Sequence, residues 1–85
     1  MQRFYFHLNY LHDFLADPDG SDYADLAGAR SEAHQCIRDL AAECLRSGEE
    51  FKLFGIRICN AEGDTLDEVF VRDALATVIP VNAVQ

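Results

Sequence analysis

His7, His12 and Asp13 lie within seven positions of one another, and two imidazoles with a carboxylate are a donor set suited to a divalent metal. Three ligands on one short segment meet only if the chain folds back as a hairpin, and no fourth donor is marked by spacing. A histidine on a half-exposed strand beside Tyr5 more often packs and hydrogen-bonds than ligates. A second candidate is Asp17-Pro-Asp-Gly-Ser-Asp22. Laid on the twelve-position calcium loop from Asp17, it places Asp19 and Ser21 correctly. It then fails, because Asp22 stands at the invariant glycine and Gly28 at the bidentate glutamate. A tight turn leading into a helix cap explains the same residues.

Cys36, Cys44 and Cys59 lack the close pairing of metal or redox motifs. Cys36 and Cys44 are about 12 Å apart along a helix, too far for a bridge, and read as packing residues. Cys59 has only Arg57 as a basic neighbour in sequence, which does not make a nucleophile. Ser21, Ser31 and Ser47 have no nucleophile-elbow context. No complete catalytic set can be written, so the expectation is a protein that is not an enzyme and carries no cofactor.

The elements that position these residues follow from periodicity. From Arg3 to Asn9 the chain alternates, with Phe4, Phe6 and Leu8 on one side and Tyr5 and His7 on the other, as in a half-buried strand. A short run from Phe14 to Asp17 is its expected hairpin partner, ended by the turn at Pro18-Asp19-Gly20-Ser21. Asp25 is a good N-cap, and Leu26, Ala29, Ala33, Ile37, Leu40, Cys44 and Leu45 form one helical stripe that stops at Gly48. At 1.5 Å per residue this helix is roughly 33 Å long, whereas a strand of this kind covers about 20–23 Å, so it must lie diagonally or overhang the sheet.

Phe54, Ile56 and Ile58 then alternate with Gly55, Arg57 and Cys59, and a last strand is expected from Thr65 to Arg72. In it Leu66 and Phe70 share one parity and Val69 and Val71 the other, which requires two covered faces or a bulge. Asp73 to Ala76 suggests a helical turn, and the segment from 76 to 85 reads as a tail on a single domain spanning 1–75. The expected class is α+β in the order strand, strand, helix, strand, strand, with one long helix on one face of a four-stranded antiparallel sheet. The opposite face then displays Tyr5, His7, Arg57, Cys59 and Phe70, the candidate interaction surface.

Seven Lys plus Arg against fifteen Asp plus Glu give the 85-residue chain a net charge of −8. That charge repels nucleic acid and anionic lipid, and the arginines are scattered. No run approaches a membrane span, no secretory leader is recognisable, and three unpaired cysteines suit the cytoplasm. The acidic positions Asp13, Asp17, Asp19, Asp22 and Asp25 are either a solvated loop or a dock for a basic partner.

Arg3-Phe-Tyr-Phe-His-Leu8, Asp17-Pro-Asp-Gly20, Asp25-Leu-Ala-Gly-Ala-Arg30 and Ala61-Glu-Gly63 followed by Val69 to Leu75 together resemble a family of small bacterial proteins of about this length, a domain of unknown function. The resemblance covers residues 3 to 75 and departs at Leu11-His12 and from Ala76. It brings no assigned activity, cofactor or site residue. A hairpin before a long helix and a returning strand is also similar, at the level of fold, to antitoxin domains that pair with ribonuclease toxins. Three functional classes follow: a protein-interaction or self-association module, an acidic antitoxin-like regulator of a basic partner, and a small metal binder or enzyme using His7 and His12.

Overall fold

The alternating N-terminal segment forms β1 (Gln2–Tyr10), the strand on which the rest is assembled in a computed structural model describing residues 1–78. Its even residues point inward: Phe4 is buried, and Phe6, Leu8 and Tyr10 pack against the core. The chain turns at Leu11-His12 into β2 (Phe14–Leu15), which pairs antiparallel with the end of β1 through Leu8 with Leu15 and Asn9 with Phe14. After the turn at Pro18 to Gly20, β3 (Ser21–Tyr23) pairs with the start of β1 on the same edge. The sheet therefore has five strands, not the four expected. The extra strand is three residues long, and no alternation can show in so short a segment.

Helix α1 (Leu26–Ser47) has the expected bounds. Asp25 Oδ1 accepts the Gly28 amide at 2.9 Å, and Gly48, at φ 76°, donates its amide to the Cys44 carbonyl. Its buried line is Ala29, Ala33, Ile37 and Ala41, three of them alanines, so the helix backbone approaches the sheet closely around one large side chain. Leu45, expected on this stripe, is 79% exposed, because the last turn has run past the core.

Strands β4 (Leu53–Cys59) and β5 (Thr65–Phe70) complete the order β2-β1-β4-β5, with Ile56, Ile58 and Val69 under the helix. Two register shifts alter the expected parity. Asn9 pairs with Gly55 but Tyr10 with Leu53, so Phe54 is the surplus residue: Leu53 enters the core and Phe54 turns out, against the simple alternation of Phe54 with Ile56. Ile58 pairs with Asp67 but Cys59 with Thr65, so Leu66 is surplus, and this bulge resolves the mixed parity of the last strand.

That strand ends at Phe70, two residues earlier than expected, because Val71 opens a short helix, α2 (Val71–Ala76). Val71 and Ala74 are buried in the same core, beside α1. Ala76 thus closes α2 and does not open a tail, and the rest of the expected tail beyond residue 78 lies outside the described residues.

Candidate functional site

The open sheet face is read from the pairings, since residues directly opposite one another project to the same side. One row across four strands is Phe14, Asn9, Gly55 and Phe70. The next on this face is His7, Arg57 and Glu68, and the third is Tyr5, Cys59 and Thr65. The five expected surface residues do share this face. Tyr5, His7, Arg57 and Phe70 are half-buried on it, while Cys59 is only 3% exposed and offers nothing to a partner. Its short side chain sits between Tyr5 and Thr65 on the flanking strands, with Sγ 3.8 Å from Thr65 Oγ1.

Periodicity missed Phe14 and Phe54, which are 50% and 51% exposed. Phe14 lies on a strand too short to show parity, and Phe54 is turned out by a bulge that depends on a distant strand. Phe14 stands 5.7 Å from the His7 ring, and Phe54 meets Phe70 edge-on at 5.6 Å. Gly55 has a specific part here: a methyl group on it would lie 3.0 Å from the Val69 carbonyl, with Phe70 Cδ1 at 3.6 Å, so glycine lets the β5 backbone approach closely beside Phe70. A groove of about 340 Å³ lined by Leu53, Phe54, Phe70, Val71 and Arg72 continues this apolar corner.

Arg57 forms no salt bridge among the described residues, although Glu68 is its cross-strand neighbour; Glu68 Oε2 instead accepts the Asn9 side-chain amide at 3.3 Å.

The residues of the sequence motifs have a different task. Between β2 and β3 the edge of β1 has no strand partner at Phe6, and the carboxylate of Asp17 takes that place. It accepts the Phe6 amide at 3.1 Å and those of Asp19 and Gly20 at 3.2 and 3.1 Å. In return the Asp17 amide donates to His7 Nδ1 at 3.0 Å, so the histidine's other nitrogen carries the ring proton in the neutral form. Burial alone raises the Asp17 carboxyl, but the three backbone donors and nearby His7 outweigh it and hold it below the usual aspartate range.

Gly20, at φ 73°, packs where a methyl group would stand 2.9 Å from both Arg3 Cγ and the Phe4 carbonyl. Arg3 closes the turn by donating to the Asp19 carbonyl at 2.8 Å and pairing with Asp22 at 3.1 Å. Arg30 of α1 pairs with Asp67 of β5, tying helix to sheet. Burial raises the Asp67 carboxyl too, yet the Arg30 hydrogen bond, the Glu68 amide and the Arg30 charge bring it below its ordinary value.

Four of the five carboxylates of the acidic run are therefore engaged within the fold. Asp17, Asp22 and Asp25 are engaged as described, Asp13 accepts the Phe14 amide at 2.8 Å, and Asp19 offers its carbonyl to Arg3. His12 lies in the turn near Tyr10, Asp13 and Lys52, apart from the His7–Asp17 contact. Among the described residues no group of three or more His, Cys, Asp or Glu side chains is arranged to hold a metal ion, and no helix is long and apolar enough to cross a membrane.

Neither the curated proteins nor the solved structures hold a significant match to this chain. A family model described as a domain of unknown function, DUF6894, matches residues 3–72, the span from Arg3 through both hairpins and α1 to the first turn of α2. With the arginine clamp, the aspartate turn, the capped helix and the second hairpin all inside that span, the chain belongs to the DUF6894 family.

Proposed function

We propose that this chain is a non-enzymatic interaction module whose contact surface is the sheet face that α1 leaves open. The observation that carries the reading is the row Phe14, Asn9, Gly55, Phe70 with Phe54 beside it: two phenylalanines half in solvent and a third, half-buried, in edge-on contact with Phe54. Apolar side chains clustered on an open antiparallel face favour contact with another protein.

Face contact suits this sheet better than strand addition. The β5 edge carries the Leu66 bulge, and the Glu68 amide is taken by Asp67 Oδ1 at 2.7 Å. At the other edge, β2 and β3 are two and three residues long, too short to template a new strand. Neutralising a basic partner through the acidic run is a weaker reading, because four of its five carboxylates already serve the turn, the clamp or the helix cap. Cys36, Cys44 and Cys59 are all free thiols, in keeping with a reducing, cytoplasmic setting.

The test pairs Phe14→Ser and Phe54→Ser in one variant and compares it with wild type by sedimentation across a concentration series and by affinity capture. The variant should lose self-association, or lose a protein that wild type retains, while its circular dichroism is unchanged. Identical assembly and identical captured proteins in both would overturn the reading.

A further inference from the structure

We infer that the occupant of the open face is a second copy of this chain, stacked sheet to sheet about a two-fold axis that runs along the strands between β4 and β5. The inference rests on the reading above and adds the partner and its register.

The first argument is charge. The chain carries −8 overall, yet the rows of the open face hold only Arg57 with Glu68 and, beyond Tyr5, Arg3 with Asp22, two pairs whose formal charges cancel. The whole net charge lies elsewhere. Two copies approaching through other surfaces bring like charge together, whereas through this face they meet without net repulsion.

The second argument is reciprocity. Arg57 and Glu68 are paired across β4 and β5, about 5 Å apart at their Cα atoms, and are not bridged to each other. A two-fold axis between these strands exchanges them. It sets Arg57 of one copy over Glu68 of the other, and the reverse, so one operation forms two ion pairs. The same operation brings two Phe54–Phe70 pairs together beside the axis, giving the charges an apolar flank. It also places each Phe70 above the other copy's Gly55, where no side chain rises to hold the sheets apart. Two inner faces stacked about 10 Å apart suit this arrangement.

Sedimentation velocity on the full chain tests it with Arg57→Glu, Glu68→Arg, their equimolar mixture and Phe54→Ser. Wild type should dimerise. Each charge reversal alone should weaken dimerisation by tenfold or more by setting like charges face to face, and mixing the two reversed chains should restore the dimer. Circular dichroism identifies any variant that fails to fold, and Phe54→Ser probes the face without touching a charge.

A wild-type dimer that Phe54→Ser dissociates, but that the mixture does not restore, overturns the Arg57–Glu68 register and leaves the face in place. A dimer indifferent to all three substitutions overturns register and face together. A strict monomer at millimolar concentration overturns the second copy as occupant, and the Phe14 and Phe54 capture comparison then decides the face by itself.

Discussion

Replacing Asp17 should show how much of this fold hangs on one carboxylate. Asp17→Ala removes the acceptor of three backbone amides, of which Phe6 and Gly20 are part-buried and Asp19 is exposed. Water can replace the bond to Asp19. The Phe6 amide faces a gap in the sheet edge, and an amide stranded there costs about 1–3 kcal/mol. With a smaller loss at Gly20, the expected destabilisation is about 2–3 kcal/mol, a fall in Tm of about 10–20 °C for a domain of this size.

Asp17→Asn keeps the shape and one acceptor oxygen but sets an NH2 group or a weaker neutral acceptor against Phe6, and should cost about half as much. It also removes a titration. The native carboxyl is held below its ordinary value, so its contribution is fully present above the unfolded aspartate pKa and is lost as pH falls through the depressed native one. Urea denaturation of wild type and Asp17→Asn should therefore show a gap at pH 7 that narrows as pH falls below the unfolded aspartate value of about 4. A gap below about 0.5 kcal/mol at pH 7, within the range of an ordinary surface substitution, would refute the account; so would one that stays constant on acidification.

Two glycines and two helix positions give further checks. Gly20 and Gly48 both have positive φ, 73° and 76°, but a methyl group on Gly48 meets nothing within 4 Å whereas one on Gly20 strikes the Phe4 carbonyl. Gly48→Ala should cost about 1 kcal/mol from backbone strain alone, and Gly20→Ala about 2–4 kcal/mol with the added clash. Equal losses in urea melts would refute the packing assigned to the turn. Ile37→Ala, at the centre of the helix–sheet core, should cost about 2–5 kcal/mol, against under about 0.5 for Leu45→Ala in the overhanging last turn. Comparable costs at the two positions would contradict their placement.

Much of the site was legible because it lies on β1 and β4, where strict alternation assigns faces. Tyr5, His7 and Arg57 fall opposite Phe4, Phe6 and Ile58 by parity alone. Phe54 defeated that rule, since the bulge that turns it out is set by the pairing of Leu53 with Tyr10, more than forty residues earlier in the chain. Cys59 has the right parity, yet its burial depends on what Tyr5 and Thr65 place beside it. Glu68 gains interest only beside Arg57, a neighbour eleven residues back and across a hairpin.

The sequence alone sets the helix to the residue, because its cap at Asp25 and its stop at Gly48 are local hydrogen-bonding and φ preferences. It likewise sets the turn at Pro18 to Gly20 and the α+β class. The assembled fold adds that Asp17 completes the edge of β1, that Ser21–Tyr23 is a fifth strand, and that the last strand yields to α2 at Val71. Each of these is settled by hydrogen bonds and packing between segments far apart in the chain, and local periodicity carries no record of which distant segment arrives.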